Sequence, residues 1–130
     1  YRHTVSALNE VEVCRITTAT LKQLETEKNW LNEKVMSHWE QHLRFADRWI
    51  SELSSGSVRT RTIRLLRLLL DLIGDEKNTL RFFGYEDMAS MIGTSRETFS
   101  RIVGELKNEG GLLATGDSHR YRVFLPEQEE

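Results

Sequence analysis

The chain has 130 residues, 38% of them hydrophobic and 29% charged, and its formal net charge of −2 neither supports nor excludes a nucleic-acid partner, because a local basic patch sets phosphate contacts. This length allows one or two small domains, and no apolar run is long enough to span a membrane, so we expect no membrane partner. The single cysteine excludes an internal disulfide and is typical of a reducing compartment, so a cytoplasmic protein is expected.

The first segment, residues 3–16, alternates apolar and polar side chains and is rich in β-branched residues. This pattern predicts two strands around a turn at Asn9-Glu10. Two strands alone are not stable, so we expect the segment to belong to a domain whose earlier part precedes it. Cys14 is expected to be a buried thiol on a strand.

A long helix is predicted from about 28 to 53, because this stretch has no Gly or Pro and its apolar residues recur in steps of four and three. The seam consists of Leu31, Val35, Trp39, His42, Ala46, Trp49 and Leu53. Met36, Leu43, Phe45 and Ile50 widen the apolar surface beyond this seam, so the helix must cover something besides a partner helix. We expect a parallel pair of such helices at a two-fold axis, with the flanks covered by the domains on either side. The alternative is a core helix within one chain. His38 and His42 have metal-ligand spacing, but no third ligand is evident and no metal site is expected.

Residues 54–57, Ser-Ser-Gly-Ser, predict a hinge that ends in an N-cap, and an apolar helix is predicted at 58–73. Its first part carries Arg59, Arg61, Arg64 and Arg67. These arginines either face phosphate groups, or they form a solvated face or pair with carboxylates, and we favour the second interpretation. Residues 74–84 predict a loop with a short strand at 80–83.

Residues 85–104 predict two short helices joined by a tight turn, which is a helix-turn-helix. Gly93 can take the positive φ that the turn requires. Thr94 is predicted as the N-cap of the second helix, with Glu97 completing a capping box. The apolar stripes consist of Met88, Ala89 and Ile92 on the first helix and Phe99, Ile102, Val103 and Leu106 on the second.

One face of the second helix carries no apolar residue, and its first turn is where such helices contact bases. We expect four of its residues to read base edges: Arg96, Glu97, Ser100 and Arg101. Ser95 and Thr98, at the helix N-terminus, are expected to donate to DNA phosphate. The alternative is that Glu97 only caps the helix and pairs with Arg101.

Gly110-Gly111 ends this helix, and residues 112–115 and 120–125 predict a hairpin, or wing, about a loop at 116–119. His119 or Arg120 at its tip is expected to contact phosphate, and we favour His119. The alternative is that the tip is merely exposed. Residues 126–130 are predicted to be a frayed acidic end.

Residues 95–101, SRETFSR, resemble the recognition helix of the CRP/FNR superfamily of bacterial transcription regulators, and the resemblance extends over nearly the whole chain. It implies that residues 1–27 are the last strands of a sensory, cyclic-nucleotide-binding-like β-roll with a short helix at 17–24. It further implies a dimerisation helix at 28–54 and a winged helix-turn-helix DNA-binding domain at 55–130. The implied partners are a second copy of the chain, a double-stranded inverted repeat with TGA in each half-site, and RNA polymerase.

The resemblance does not identify an effector. Ala46-Asp47 occupy the positions at which the cAMP-binding branch has Thr-Ser, so cyclic AMP is not expected. The segment around Cys14 is similar to one that supplies an iron–sulfur ligand in the FNR branch, but this chain has no further thiolate. No cofactor is therefore expected in these residues.

The sequence thus predicts a mainly α protein with small β parts (α+β): a long dimerisation helix followed by a winged helix-turn-helix, preceded by the last strands of a truncated β-roll. The expected function is sequence-specific regulation of transcription by a homodimer, through a recognition helix at about 95–109. The alternative is a winged-helix interaction or oligomerisation module without base-specific DNA binding. An enzyme is not expected, because no catalytic constellation or phosphate-binding loop is evident.

Overall fold

The computed structural model describes residues 4–8, 10–27 and 29–125. These residues form five helices and three strands: α1 (Thr18–Glu27), α2 (Asn29–Leu53), α3 (Val58–Ile73), β1 (Thr79–Arg81), α4 (Tyr85–Met91), α5 (Arg96–Asn108), β2 (Leu112–Ala114) and β3 (Arg120–Val123). The predicted α+β class, mainly helical with a small antiparallel sheet, is confirmed. The predicted acidic end at 126–130 and the turn residue Asn9 lie outside the described residues.

The strands predicted at 3–16 are not formed. The described residues of that segment, 4–8 and 10–16, belong to neither a helix nor a strand. Isolated strand pairs are unstable, and the three strands of the described chain pair only with one another, around 79–81, 112–114 and 120–123. Cys14 is accordingly exposed and not, as predicted, a buried strand thiol.

The chain consists of two compact units, Tyr1–Arg48 and Trp49–Glu130, and most contacts are made within each unit. The first unit contains α1, which extends the helix predicted at 17–24, and most of α2, which agrees with the predicted long helix. The hydroxyl of Thr17 accepts the backbone N–H of Thr20 at 3.1 Å, so the start of α1 is capped.

The second unit is built around the apolar side of α3, whose bounds are the predicted ones. Ser57 precedes the helix in an extended conformation, and its hydroxyl accepts the backbone N–H of Thr60 at 3.1 Å. Leu65 and Leu66 are fully buried, and α3 packs against α5 and β1. The buried apolar residues of this core are Leu53, Leu65, Leu66, Leu68, Leu69, Leu80, Phe82, Met88, Ala89, Ile92, Phe99, Ile102, Val103, Leu106, Leu112 and Val123.

The sheet of the second unit is antiparallel with strand order β1-β3-β2. Tyr121 on β3 lies opposite Leu80 on one side and Ala114 on the other. β2 and β3 form the predicted wing, and the strand predicted at 80–83 is found slightly earlier, at Thr79–Arg81. Phe82 ends the pairing by donating its N–H to the carbonyl of His119 at 2.8 Å.

Asp75 organises the loop between α3 and β1. Its Oδ1 accepts the backbone N–H groups of Thr79 at 2.8 Å and of Lys77 at 3.0 Å. The hydrogen bond from the Thr79 backbone is the largest of the effects that hold the pKa of Asp75 below its ordinary value of 3.8. The charged carboxylate therefore fixes the entry into the sheet.

Candidate nucleic-acid interface

The turn between α4 and α5 has the predicted geometry. Gly93 adopts φ +62°, and the backbone N–H of Thr94 reaches back to the carbonyl of Ala89 at 3.0 Å. A side chain at position 93 would be strained by this φ, although the nearest atom to an added Cβ, the Nη1 of Arg61, is 4.0 Å away. Glycine is thus required here by backbone conformation rather than by space.

The N-cap of α5 is Ser95 and not, as predicted, Thr94. Ser95 is extended, with φ −79° and ψ 153°, and its hydroxyl accepts the backbone N–H of Thr98 at 3.2 Å. The predicted capping box is therefore wrong, because Thr98 and not Glu97 stands three residues after the cap. The Thr94–Ala89 hydrogen bond uses the residue before the cap to close the turn.

The orientation of α5 is fixed by its buried side. Phe99, Ile102, Val103 and Leu106 are all buried, and the ring of Phe99 meets Tyr85 edge-on at a centroid distance of 5.5 Å. The opposite side is open: the four residues predicted to read bases, Arg96, Glu97, Ser100 and Arg101, are all exposed. Within the described part of the chain, the side chains of Arg96, Glu97 and Ser100 have no hydrogen-bond or ion-pair partner.

Arg101 pairs with Glu105, one turn further along α5, at 2.5 Å between Nη1 and Oε1. The alternative pairing of Glu97 with Arg101 is not formed. The other carboxylate oxygen of Glu105 lies 3.8 Å from Arg59 on α3, and Arg59 is held by Glu109 at 2.5 Å. Charges of opposite sign therefore alternate along a row of contacts. Its members, which we call the four-charge chain, are Arg101, Glu105, Arg59 and Glu109.

The four arginines of α3 are half-buried and not a solvated face. Pairing with carboxylates is confirmed for Arg59. Arg64 instead donates to the carbonyls of Glu52 at 3.1 Å and Ser55 at 3.3 Å, and so ties the hinge to α3. Arg61 has a buried Nε without a hydrogen-bond partner in the described chain. The apolar stems of these side chains explain how arginines can lie on a helix that enters the core.

A cluster that the sequence analysis missed joins α5 to the wing. Lys107 donates to the hydroxyl of Tyr121 at 2.9 Å and lies 4.4 Å from its ring centre. Tyr121 also packs on Phe82, with ring centroids 4.7 Å apart. The only sequence signal was aromatic enrichment near β1 and β3, which does not specify a partner.

The titratable groups of this cluster influence one another. The hydrogen bond from Lys107 lowers the pKa of Tyr121, whereas burial is the main cause that raises the pKa of Tyr85. Burial opposes the charge of Lys107, but the bond to Tyr121 and the attraction of both tyrosines outweigh it and raise the pKa of Lys107. Lys107 therefore remains a cation where α5 meets the wing.

The residues predicted to contact phosphate lie on two elements. Ser95 is exposed and Thr98 half-buried, and the Ser95 hydroxyl also donates to Thr98 Oγ1 at 3.1 Å. His119 is exposed in the wing loop with φ +61°, and its Nδ1 lies 2.7 Å from the hydroxyl of Ser118. The first two therefore form a compact polar group at the N-terminus of α5.

The predicted dimerisation residues differ in exposure. Leu31, Val35 and Trp49 are half-buried, Trp39, His42 and Ala46 are exposed, and Leu53 is buried in the core of the second unit. The His38 and His42 rings lie 6.3 Å apart. Among the described residues, no group of three His, Cys, Asp or Glu side chains could hold a metal ion.

Comparison with known proteins identifies the part of the chain that contains this site. A family model described as a Crp-like helix-turn-helix domain matches residues 63–127, which are half of the chain. The match includes α4, α5 and the wing. No curated protein matches the chain. None of the helices in the described ranges is both long and apolar enough to cross a membrane.

Proposed function

The chain belongs to the family of proteins with a Crp-like helix-turn-helix domain, and from this premise we propose that it is a homodimeric regulator that reads one inverted-repeat DNA site. Family membership accounts for DNA binding by a transcription regulator. The dimer, the inverted repeat and the residues that read bases go beyond what family membership implies. RNA polymerase is the partner on which such a regulator acts.

The open face of α5 supports this proposal best. Arg96, Glu97 and Ser100 are exposed and unpaired within the described chain, while the other side of the same helix is fixed in the core. Arginine can donate to O6 and N7 of guanine, and glutamate can accept from N4 of cytosine, in the major groove. A helix that is fixed in the core therefore presents these polar groups for contact with base edges.

The surroundings of α5 provide groups that suit phosphate. Ser95 and Thr98 lie at the N-terminus of the helix, where free backbone N–H groups and the helix dipole favour an anion. His119 would add a contact from the wing. These contacts position the protein, and the side chains of α5 specify the sequence. In the superfamily that residues 95–101 resemble, this Arg-Glu-x-x-x-Arg pattern reads a half-site that contains TGA, and we expect that core here.

The dimer is inferred from α2. Its exposed apolar residues include Met36, Trp39, Leu43 and Ile50, each more than 60% exposed. Trp39 belongs to the predicted seam and the other three lie beside it. The steps of three, four and seven residues between them suit a helix pair, in which two copies of α2 would cover one another. A two-fold dimer carries two copies of α5, so its site contains two half-sites about 34–36 Å apart.

Selection of this chain against a pool of random duplexes at physiological salt, followed by sequencing, tests the proposal. We expect enrichment of an inverted repeat with TGA in each half-site. Enrichment of a single half-site would support base reading and overturn the dimer. Absence of enrichment, with tight and salt-insensitive binding to a protein, would overturn the regulator in favour of an interaction module.

Arg101→Ala tests whether Arg101 reads a base. We expect a loss of about 1–3 kcal/mol that is confined to one base pair of the half-site. Binding to the selected site and to single-pair variants measures it. Arg44→Ala, which removes an exposed arginine of α2, is the control and leaves the base preference unchanged. An equal loss on all sequences would show that Arg101 contacts only phosphate.

A further inference from the structure

We propose that Glu105 is a positioning residue that sets the base preference of Arg101, and that Arg59 on α3 restrains it. This inference rests on the proposed function, because it requires Arg101 to read a base. It adds a residue that makes no contact with DNA itself and that the motif at 95–101 does not include.

The geometry of the four-charge chain carries the inference. Glu105 uses one carboxylate oxygen for Arg101, at 2.5 Å, and directs the other at Arg59, 3.8 Å away. Arg59 comes from α3, so Glu105 is restrained from a second helix as well as from its own. Arg101 is still 63% exposed and therefore remains accessible to a ligand.

The donors that remain on Arg101 suit guanine. A guanidinium carries five N–H donors, and Glu105 binds the Nη1 nitrogen. The edge formed by Nε and Nη2 therefore remains available for a ligand, and its two parallel N–H groups match O6 and N7 of guanine. An exposed arginine without such a restraint populates many rotamers, and ordering it on the DNA opposes binding. Glu105 thus favours the conformation that presents two donors to a base.

Arg59 explains how the Glu105 carboxylate can lie beside DNA. A lone negative charge near phosphates is repelled, and this repulsion weakens binding to every sequence. Arg59, which also pairs with Glu109 at 2.5 Å, partly neutralises Glu105. Since Glu109 contacts Arg59 but not Arg101 in the structure, it provides a matched control on nearly the same surface.

The experiment compares Glu105→Gln with Glu109→Gln in the full chain. For each variant, dissociation constants are measured for the best selected duplex, for duplexes changed at each single pair, and for a random duplex. Each substitution removes one negative charge and keeps the side-chain size, so both should tighten binding to the random duplex. Only Glu105→Gln should lower discrimination, by about threefold to tenfold, at the pair that Arg101→Ala identifies.

A double-mutant cycle separates positioning from general repulsion. In the Arg101→Ala background, Glu105→Gln should cause no further loss of discrimination, because the side chain that it positions is gone. Thermal unfolding of each variant checks that the fold is retained. Should Glu105→Gln unfold the chain, Glu105→Asp takes its place, since it keeps the charge but moves the carboxylate away from Arg101.

The outcomes distinguish this inference from the proposed function. If the wild-type chain discriminates between base pairs and Glu105→Gln discriminates equally well, the positioning role is overturned and the proposed regulator is not. Equal loss in Glu109→Gln, or a further loss in the Arg101→Ala background, also overturns it. A wild-type chain that discriminates no base pair overturns both.

Discussion

Helices α2 and α3 follow one another in the chain, and both carry apolar stripes, but the two stripes differ in how far they are buried. On α3, Leu65 and Leu66 are fully buried. On α2, Trp39 is 63% and Leu43 65% exposed. The difference arises because α5 and β1 pack on α3, whereas the described residues leave much of the apolar surface of α2 uncovered. Helical periodicity therefore predicts that a stripe must be covered, but only packing decides whether the same chain covers it.

The same contrast exists within α5. Its buried side belongs to the core, where each side chain is fixed by neighbours, and its open side carries polar groups that are exposed. A rigid inner side makes the outer side precise in position. The following substitutions test how far the two kinds of surface differ.

Phe99→Ala should have the largest effect, because it removes a fully buried ring that packs against Tyr85. We expect a loss of about 3–5 kcal/mol in the free energy of unfolding, measured by urea denaturation with circular dichroism, and a parallel loss of DNA binding. Ser100→Ala, on the open side, is the control and should change stability by less than about 0.5 kcal/mol. Similar stabilities of the two variants would contradict the assignment of the two sides.

Trp39→Ala tests the surface of α2. If α2 pairs with a second copy, loss of this exposed aromatic side chain should weaken association by about 2 kcal/mol, or on the order of thirtyfold. Sedimentation equilibrium measures the change. Glu40→Gln, at the neighbouring position and in an exposed ion pair with Arg44, should leave association nearly unchanged. A monomeric wild-type chain at high concentration, or an unaffected Trp39 variant, would exclude the helix pair.

Two glycines near the candidate interface should respond with opposite signs. Gly93→Ala should destabilise the fold by about 1–2 kcal/mol, because its φ of +62° is unfavourable for a residue with a Cβ. Gly104→Ala lies inside α5, where the added Cβ has no atom within 4 Å apart from the nearby backbone of its own helix, and it should stabilise the fold by about 0.5–1 kcal/mol. Thermal unfolding without DNA compares them. A stabilising Gly93→Ala would refute the strained turn.

The smallest effect concerns Asp75 and is lost in acid. Its pKa is lowered in the folded chain, so its charge contributes stability above the ordinary value of 3.8, and this contribution is lost as the pH falls through the folded pKa. Asp75→Asn lacks this titration but can still accept both backbone N–H groups. Urea denaturation from pH 6 to pH 2 should therefore show a wild-type advantage at the upper end that shrinks in acid. A constant difference between the two proteins would contradict the role of the charge.

Local rules account for the parts of the structure that were predicted correctly. α3 begins after a serine cap, contains no Gly or Pro, and ends before Gly74. Residues close together in the sequence therefore predict its bounds. The turn at Gly93 follows from the break between two apolar stripes. The N-cap was misplaced because Thr94 and Ser95 are both suitable capping residues, and the backbone hydrogen bond from Thr94 to Ala89 decides between them.

The sequence by itself determined the family motif, the helical periods and the open face of α5, because these depend on residues close together in the chain. The partner of Arg101 was decided by the tertiary structure. Glu97 and Glu105 are both four residues away, and the usual orientation of helical ion pairs favours Glu97. Glu105 is found instead, where Arg59 from α3 brings a positive charge beside its carboxylate. Likewise, the burial of Leu53 and the Lys107–Tyr121 contact depend on elements that only folding brings together.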